Sequence, residues 1–328
     1  MGLRAGAELS RALVTGIGGQ DGSYLAELLL EHGYEVTGIV RGDPGGDYPN
    51  LAAVRDRVRL VRADLLDREA LERVLRERGP REVYNLAAPS FVPRSWEFPV
   101  ETAEFAAVGV TSLLEAVRAT DPAIRVYQAS SSEIFGEPAE SPQSEETPLA
   151  PLTPYGVAKA YGHFIARSYR RRHGLHVSCG ILYNHESPRR PLDFLPSKVA
   201  DGAARISLGL ADELALGDLD AQRDWGFAGD YVEAMRLMLR QDEPDDYVVA
   251  SGELHSVREL AELAFRHVGL DWREHVRRDP ELERGSAELH RLVGDRSKAE
   301  RRLGWRPRIG FDELVRMLVD GAVARLAS

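Results

Sequence analysis

Tyr155 and Lys159 lie four residues apart in the segment 153–159. On a helix this spacing places the phenol and the ammonium on one face. A nearby cation lowers the pKa of a phenol, and a phenolate can take the proton of a sugar or alcohol hydroxyl while hydride leaves the same carbon. A surface tyrosine beside a solvated lysine is the alternative, so the pair indicates redox chemistry only if other segments agree with it.

A glycine-rich turn near the N-terminus does agree. Residues 11–14 predict a short buried strand, and residues 24–29 have the apolar spacing of a helix. Between them, Gly16, Gly19 and Gly22 let the backbone approach a pyrophosphate, and the amides of the helix N-terminus face it. Its place between a strand and a helix favours nucleotide binding over an ordinary glycine turn.

The elements that must position these residues alternate along the first half of the chain. Strands are predicted at 35–41, 58–63, 82–87 and 125–130, with helices at 51–57, 67–77 and 100–118. This alternation predicts an α/β fold, a Rossmann-type doubly wound parallel sheet with right-handed crossovers. The glycine turn, residues 87–88 and serines 130–132 then lie at the carboxyl ends of strands, where such folds bind ligands.

The pattern changes near residue 184 to proline- and arginine-rich loops with short helices. We expect residues 1–183 to form mainly the dinucleotide-binding domain and residues 184–328 a smaller C-terminal substrate-binding lobe. Some segments, such as the helix predicted at 231–239, would return to the main sheet. The charge-dense stretch 271–291 predicts a solvated surface that also carries candidate ligand arginines.

The composition excludes several classes of protein. The 328 residues, 43% of them hydrophobic, can fill the core of a globular protein, and a net charge of −10 argues against a nucleic-acid-binding surface. One cysteine, Cys179, excludes an intramolecular disulfide and a cysteine metal cluster, and its apolar neighbours indicate packing. With no apolar signal region and no run of 18 apolar residues, we expect a cytoplasmic protein without a membrane partner.

Longer segments resemble the extended short-chain dehydrogenase/reductase superfamily and, within it, the GDP-mannose 4,6-dehydratases. The similarity runs through 15–22, 85–88, 127–133, 154–159, 184–190, 217–226 and 230–235. The blocks Asn-His-Glu-Ser-Pro at 184–188 and Arg-Asp-Trp-Gly at 223–226 are more specific than the glycine turn. The resemblance implies a hydro-lyase of deoxysugar biosynthesis that converts GDP-mannose to GDP-4-keto-6-deoxymannose, assembled as a homodimer or homotetramer.

The resemblance also implies roles for four catalytic residues. Tyr155 would take the O4 proton while C4 gives hydride to the nicotinamide, and Glu133 would remove the C5 proton. The C6 hydroxyl would leave as water, and hydride would return to C6. Lys159 would anchor the nicotinamide ribose, and Ser131, where the family usually has threonine, would hydrogen-bond the C4 oxygen. A surface carboxylate is the alternative for Glu133.

Binding residues follow from the same resemblance. We expect NADP contacts from Gly16, Gly19, Gln20, Asp21, Gly22, Arg41, Asp64, Leu65, Leu86, Ala87, Ala88, Tyr155 and Lys159. We expect sugar-nucleotide contacts from Ser90, Ser132, Asn184, Lys198, Arg223, Arg284 and Glu288. A guanidinium suits a diphosphate, so Arg223 is assigned to it, with pairing to Asp224 as the alternative. Asp64 could instead cap the following helix. No metal is expected, because His185 and Glu186 have no second histidine at ligand spacing.

The loop after the second strand departs from the family pattern of paired arginines followed by serines. Arg41 remains, but Gly42 replaces the next cation, and Asp43 and Asp47 follow. Since an acidic side chain near the ribose favours the hydroxyls of NAD, the expectation of NADP rests on Arg41 and NAD stays open. Gly285 also replaces an expected arginine, with Arg284 one residue away, so the nucleotide base and the hexose stay open too.

Two other functions remain open on the sequence. A sugar-nucleotide epimerase or 4-keto reductase of the same superfamily would need Tyr155 and Lys159 but could dispense with Glu133. A nucleotide-binding regulatory or scaffold protein could keep the fold without catalysis, although the intact set of Tyr155, Lys159 and Glu133 argues against it.

Overall fold

A computed structural model of the chain describes residues 10–282 and 292–327. The strands are β1 Arg11–Thr15, β2 Glu35–Val40, β3 Val58–Arg62, β4 Glu82–Asn85, β5 Arg125–Ala129, β6 Val177–Leu182, β7 Asn184–Glu186, β8 Leu214–Leu216, β9 Gln222–Arg223, β10 Trp225–Phe227, β11 Asp246–Val249, β12 His255–Ser256 and β13 Val276–Arg278. The α-helices are α1 Gln20–Glu31, α2 Arg68–Arg78, α3 Arg94–Glu97, α4 Pro99–Ala103, α5 Gly109–Thr120, α6 Pro154–His173, α7 Leu195–Ser207, α8 Ala228–Leu239, α9 Val257–His267, α10 Trp272–His275, α11 Ser297–Leu303 and α12 Phe311–Ala327.

The central sheet has seven strands in the order β11-β6-β5-β4-β1-β2-β3, and every pairing in it is parallel. All residues of β4 and β6 are buried. Continuous burial is typical of parallel strands that are covered by helices on both faces. The predicted Rossmann-type α/β fold is therefore confirmed, with strand ends within two residues of those expected from the sequence.

Helices cover both faces of this sheet. On one face α1 packs against α8, with Leu25, Leu29 and Met235 in a shared core. On the other face α2, α5 and α6 form a second core that also contains Cys179, in agreement with the packing role expected for that residue. The sheet is thus held between two apolar layers, and its loops at the carboxyl ends remain open to ligands.

The helix predicted at 100–118 is divided in the structure. Between α4 and α5 lies a π-helical segment, Glu104–Val108, which we call the π-turn. The helix predicted at 51–57 is a 3₁₀ helix, Pro49–Arg57, with proline in its first turn. Further 3₁₀ helices are Ser132–Ile134 and Pro280–Leu282.

The second half of the chain builds a core of its own and also returns to the first. Residues of α7, α9 and α12 pack together around Trp225 and Phe311. Helix α8, strand β11 and helix α11 belong to the main sheet or its covering layer. The expected return of a helix near 231–239 occurs, and β11 and α11 return with it. Across the described ranges, no helix combines the length and apolarity needed to cross a bilayer.

Candidate active site

A cleft of about 1160 Å³ opens at the carboxyl ends of the central strands. One wall comes from residues that follow these strands, among them Gly16, Arg41 and Ser131. The opposite wall comes from the second half of the chain, through Asn184 and Lys198. The fold therefore brings the residues assigned to the cofactor and those assigned to the substrate to the same cavity.

The glycine turn forms a cradle in which side chains would collide with backbone. Gly16 has φ +70°, and a Cβ there would lie 3.0 Å from the backbone nitrogen of Ala87. A Cβ on Gly22 would lie 2.3 Å from the carbonyl oxygen of Gly16, so glycine permits the close packing of α1 on the turn. Gly19 precedes α1 and no side chain caps this helix, which leaves its first amides for an anion. The cradle fits the pyrophosphate of a dinucleotide.

A buried chain of hydrogen bonds fixes the strand ends beside this cradle. Thr15 Oγ1 donates to Asn85 Oδ1 at 2.7 Å and accepts from the amides of Leu86 and Ala87 at 3.1 Å. Asn85 Nδ2 in turn donates to Gln128 Oε1 at 2.8 Å. The ends of β1, β4 and β5 are thereby held in one register, and Leu86, Ala87 and Ala88 line the cleft.

Helix α6 presents Tyr155 and Lys159 to the cleft. Thr153 caps its N-terminus by accepting from the amide of Gly156 at 2.9 Å, and Pro154 occupies the first turn. A Cβ on Gly156 would lie 2.6 Å from the carbonyl oxygen of Glu133. Glycine at this position therefore lets the first turn of α6 approach the loop that carries Ser131 and Glu133.

The acidity of the phenol differs from the expectation. Burial raises the pKa of Tyr155 to about 12, with a hydrogen bond from Ser131 working against the increase and the charge of Glu133 adding to it. Lys159 Nζ donates to the carbonyl of Ala129 at 3.0 Å and lies 5.7 Å from the centre of the phenol ring. The predicted lowering of the phenol pKa by this lysine is therefore not found in the protein alone, because desolvation dominates and the ammonium is directed to the backbone.

Burial also affects the ammonium group. It lowers the pKa of Lys159 to about 8, while the charge of Asp21 works in the opposite direction. The side chain of Lys159 is buried, as is that of Tyr155. Both groups of the predicted pair thus lie in a desolvated part of the cleft, where electrostatic interactions with a ligand are strong.

The loop after β5 carries the other two predicted catalytic residues. Ser131 Oγ accepts from the amide of Glu133 at 3.3 Å, and Ser131 opposes the increase in the pKa of Tyr155. Ser131 and Glu133 line the cleft. Ser132 is buried at the start of the 3₁₀ helix and does not line the cleft, so its predicted contact with substrate has no support in this geometry.

The far end of the cleft contains Arg41, Tyr48 and Leu65. Asp43 folds back into its own loop: its Oδ1 accepts from the amide of Gly45 at 2.9 Å, and its carbonyl accepts from Tyr48 at 2.9 Å. Asp64 accepts from the amide of Leu66 at 2.9 Å, and the neighbouring Asp67 caps α2. Asp64 itself does not line the cleft.

Of the residues assigned to the substrate, Ser90, Asn184, Lys198 and Arg223 line the cleft. Arg284 and Glu288 lie outside the described residues. The carboxylate of Asp224 accepts from the amides of Ser251, Gly252 and Gly294 and from the Ser251 hydroxyl. Asp224 therefore anchors neighbouring loops, whereas Arg223 reaches the cleft.

Several charged residues of the cleft were not predicted from the sequence, among them His185, Glu186 and Arg190. His185 Nε2 lies 2.8 Å from Asp21 Oδ2, and its ring stacks on Tyr231 with centres 4.7 Å apart. Arg190 Nε lies 3.3 Å from Glu186, whose pKa is raised by burial against the opposing charge of Arg190. These residues lie in the segment 184–190, which resembles the dehydratase family, but the resemblance was not used to give them a role.

The segment that contains these residues is fastened to the start of α1. Gln20 donates to the carbonyl of His185 at 3.0 Å and accepts from Ser187 Oγ at 2.8 Å. Arg189 donates to Ser23 at 3.0 Å and to Glu27 at 2.7 Å. Through these contacts the helix beside the glycine cradle and the substrate wall form one unit.

One buried cluster away from the cleft has metal-ligating atoms. Within the described ranges, His163, Cys179 and Asp246 place one such atom each within 4.8 Å of one another. Asp246, however, pairs with Arg167 and Arg170. Burial raises the pKa of Cys179 well above its ordinary value, which keeps it a neutral thiol. The cluster is better suited to holding β6 and β11 to α6 than to binding a cation.

Comparison with known proteins identifies relatives over nearly the full length. The family model described as GDP-mannose 4,6 dehydratase matches residues 13–318. The chain is 48% identical over 321 residues to GDP-mannose 4,6 dehydratase 1 of Arabidopsis thaliana, covering 94% of this chain and 88% of the relative. It is 44% identical to the human GDP-mannose 4,6 dehydratase, covering 95% of this chain and 91% of the relative.

Solved structures show the same fold around nicotinamide dinucleotides. A UDP-glucose 4-epimerase of Thermus thermophilus, complexed with NAD, is 31% identical with a TM-score of 0.82, covering 95% of this chain and 98% of that one. The protein RMD of Pseudomonas aeruginosa, complexed with NADPH, is 26% identical with a TM-score of 0.81, covering 96% and 99%. The dehydratase relatives are thus considerably more similar in sequence than this epimerase.

Proposed function

The chain belongs to the GDP-mannose 4,6-dehydratase family, and from this premise we propose how its own residues carry out the reaction and which cofactor and substrate they select. The protein is an enzyme, a hydro-lyase of the sugar-nucleotide 4,6-dehydratase type, and it uses a nicotinamide cofactor. We propose GDP-mannose as its substrate and GDP-4-keto-6-deoxymannose as its product, because its similar relatives are named for that sugar nucleotide. The epimerase or 4-keto reductase alternative is less favoured.

The observation that carries the proposed mechanism is the convergence of Tyr155, Ser131 and Glu133 on one wall of the cleft. A bound nicotinamide would supply the hydride acceptor for C4 of the hexose and the hydride donor for C6. Tyr155 takes the proton of O4, and Ser131, on the same wall of the cleft, holds the same oxygen. Lys159, fixed to the carbonyl of Ala129, is placed to hold the ribose beside it.

Glu133 gives this site its dehydratase chemistry. Once C4 is a ketone, the C5 proton becomes acidic and Glu133 removes it. The C6 hydroxyl leaves as water, and C6 then gains hydride while C5 regains a proton. The protons removed from O4 and C5 balance the one lost in water and the one returned to C5. A general base must lie within hydrogen-bond reach of its proton, and Glu133 lies two residues from Ser131 on the wall that also carries the phenol.

For the cofactor we propose NADP. Arg41 directly follows β2, the strand end at which a Rossmann fold meets the adenosine ribose. The acidic side chain that would favour NAD, Asp43, is engaged by the amide of Gly45 within its own turn. A guanidinium at this end of the cleft attracts a 2′-phosphate, whereas nothing in that interaction favours a ribose hydroxyl.

For the sugar nucleotide we propose the wall formed by residues 184–328. Lys198 and Arg223 lie on this wall with Asn184, and two cations suit a diphosphate. Ser90 approaches from the opposite wall. Burial of the sugar between this wall and the dinucleotide excludes water from the reacting carbons.

We further propose that the protein is a homo-oligomer that associates through α6. Val157, Tyr161 and Phe164 are exposed and spaced by four and three residues, so they form one apolar stripe on this helix. We call them the α6 stripe. The opposite edge of α6 is already packed on the main sheet, and a two-fold axis lets the stripe of one copy pack on the same stripe of another.

The Glu133→Gln variant tests the mechanism. Because the amide cannot accept the C5 proton, we expect kcat for formation of the 4-keto-6-deoxy product to fall by about 100- to 10,000-fold. Binding of NADPH, followed by fluorescence titration, should stay unchanged, since the glycine cradle and Arg41 are untouched. Product is measured by mass spectrometry after incubation with GDP-mannose and no added reductant.

Glu137→Gln serves as the matched control, since Glu137 is an exposed carboxylate four residues further along the chain. Its product formation should equal that of the unsubstituted enzyme. Undiminished water elimination by Glu133→Gln would remove the proposed base from the mechanism. A C4-inverted hexose as the product of the unsubstituted enzyme would instead support the epimerase alternative.

A further inference from the structure

Arg41 rests on an aromatic ring that belongs to a different part of the chain. Its guanidinium carbon lies 4.6 Å from the centre of the Phe105 ring, within the distance at which a cation is attracted to an aromatic face. Both residues line the cleft, and Phe105 is half-buried. Of the residues that the structure describes, no carboxylate forms an ion pair with Arg41. The ring is thus the contact that defines the direction of this exposed arginine.

Phe105 lies in the π-turn, which is uncommon backbone in an otherwise α-helical stretch. Such turns contain one more residue per turn than an α-helix and occur frequently at functional sites. Here the π-turn packs against α6: a Cβ on Gly162 would lie 2.9 Å from the carbonyl oxygen of Ala106. Ala106 is buried against α6, while its neighbour Phe105 lines the cleft. The contact of the π-turn with α6 therefore holds the backbone of Phe105 in place on the side away from the cleft.

We propose that Phe105 is a positioning residue for cofactor selection: it holds Arg41 over its ring so that the guanidinium is directed to the 2′-phosphate of NADP. This inference rests on the NADP assignment proposed above and adds the residue that makes Arg41 effective. A flexible arginine on the surface loses side-chain entropy when it binds a phosphate. A guanidinium that is already held over a ring loses less of this entropy, and its N–H groups remain able to donate to phosphate oxygens.

The turn after Arg41 supports the assignment of cofactor selection to Arg41 and Phe105. Asp43, the nearest acidic residue in sequence, is bound to the amide of Gly45, and Arg55 donates to the carbonyl of Pro44 at 2.6 Å. Tyr48 donates to the carbonyl of Asp43. The loop is held together by its own contacts and contributes no second cation. Discrimination between the two cofactors is therefore concentrated in Arg41 and in the ring beneath it.

Equilibrium binding of NADPH and NADH to purified variants tests the proposal without relying on turnover. Phe105→Leu keeps an apolar side chain but removes the aromatic face, and Phe105→Tyr keeps the face. We expect Phe105→Leu to raise the Kd for NADPH by about two- to fivefold relative to that for NADH, the range of an exposed cation–π contact. Phe105→Tyr should keep the ratio of the unsubstituted protein, and Arg41→Ala should reduce it most.

A double-variant comparison separates this inference from the cofactor proposal. In the Arg41→Ala background, Phe105→Leu should leave the NADPH/NADH ratio unchanged, because the ring no longer has a cation to hold. Equal losses for both cofactors in Phe105→Leu, or the same ratio change with and without Arg41, would overturn the positioning role while the NADP assignment stands. Tighter binding of NADH than of NADPH by the unsubstituted protein, unaltered by Arg41→Ala, would overturn both.

Discussion

At the level of single residues, desolvation is the main cause of the shifted pKa values of Tyr155 and Lys159. Tyr155 is 7% and Lys159 6% exposed. Burial favours the neutral form of each group, so it raises the pKa of Tyr155 to about 12 and lowers the pKa of Lys159 to about 8. A phenol in this state releases its proton only when positive charge comes close to it. The catalytic role of the tyrosine and lysine pair therefore stays a prediction, and the lowered phenol pKa expected from the pair is not found, since burial raises it to about 12.

A buried ion pair beside the glycine cradle gives a pH-dependent stability that can be measured. Burial opposes ionisation of Asp21, but the charge and hydrogen bond of His185 outweigh it and lower its pKa to about 2. For His185, burial lowers the pKa, but the charge and hydrogen bond of Asp21 outweigh it and raise the value overall; Arg190 opposes the increase. The ion pair therefore stabilises the folded state fully at pH values between the ordinary pKa of an aspartate and the ordinary pKa of a histidine. This stabilisation is lost as pH rises through the raised pKa of His185.

We accordingly expect the melting temperature of His185→Gln at pH 5.5 to lie below that of the unsubstituted protein, by about 1–2 °C for each kcal/mol of stability lost in a chain of 328 residues. The difference should shrink as pH rises through the raised pKa of His185, because the ion pair is lost once the ring is neutral. His267→Gln is the matched control, because His267 pairs with Asp320 at 2.7 Å on the surface. A difference of equal size below and above that pKa for His185→Gln would show that packing on Tyr231, rather than charge, is what the histidine contributes.

At the level of elements, the decisive contact is the approach of α6 to the loop after β5. This approach is possible only because position 156 is glycine: a Cβ there would lie 2.6 Å from the carbonyl oxygen of Glu133. The backbone oxygen cannot rotate away as a side chain would, so the loop or the helix must shift. A shift of this kind separates the phenol on α6 from the carboxylate on the loop, although both side chains remain present.

The Gly156→Ala variant should therefore lose about 10- to 100-fold in kcat, since small misplacements of catalytic groups have effects of this size. NADPH affinity should fall much less than kcat, because the glycine cradle and Arg41 are untouched and only the contact proposed for Lys159 moves with α6. Gly310→Ala is the control: its added Cβ would meet nothing within 4 Å, and its backbone is not in the left-handed region. Steady-state rates and cofactor titrations on both variants distinguish the outcomes. A Gly156→Ala enzyme with full kcat would show that the loop tolerates the shift.

The elements were largely predictable from the sequence, and the reasons are physical. Buried parallel strands such as β6 are continuous apolar runs, and the glycines of the turn have no substitute at Gly16 and Gly22. The π-turn was not predictable, since the buried positions Thr102, Ala106 and Val110 follow a spacing of four that an α-helix also accepts. The contact of Arg41 with Phe105 depends on that backbone, so it could not be inferred either.

Site residues that lie together in a short sequence motif could be predicted, whereas contacts between residues far apart in the sequence could not. Tyr155, Lys159, Ser131 and the glycines line the cleft as the resemblance implied, and their spacing within short segments is informative. His185 and Asp21 are 164 residues apart, and only the folding of the second half against α1 joins them. The predicted contacts of Asp64 with the cofactor and of Ser132 with the substrate have no support in the geometry. Neither residue lines the cleft, since Asp64 accepts from the amide of Leu66 and Ser132 is buried in a 3₁₀ helix.

At the level of the whole molecule, the two halves of the chain are joined more closely than a two-domain division suggests. The second half returns β11 to the edge of the central sheet and α8 to the layer over α1. It also fastens the segment 184–190 to α1 through Gln20 and Arg189. The substrate wall is therefore anchored directly to the cofactor wall, and a cleft between them can hold two ligands in a fixed relation.

The outer surface of α6 provides the last prediction. In a chain with net charge −10, like-charged copies repel one another, so association requires an apolar contact at short range. The α6 stripe has that character, with Val157 55%, Tyr161 46% and Phe164 52% exposed. Its residues stand on the same helix as Tyr155, so a dimer formed here would also stiffen the catalytic helix.

Replacing Val157 and Phe164 together by glutamate should give a monomer, because four charges would face one another across a two-fold axis. Light scattering during size-exclusion chromatography should then report the 36.3 kDa of one chain, against at least twice that mass for the unsubstituted protein. Leu210→Glu is the matched control, since Leu210 is 56% exposed and lies away from α6, after α7. An unsubstituted protein that elutes as a monomer at micromolar concentration would refute the oligomer, and an oligomer that survives the double substitution would place its interface on another face.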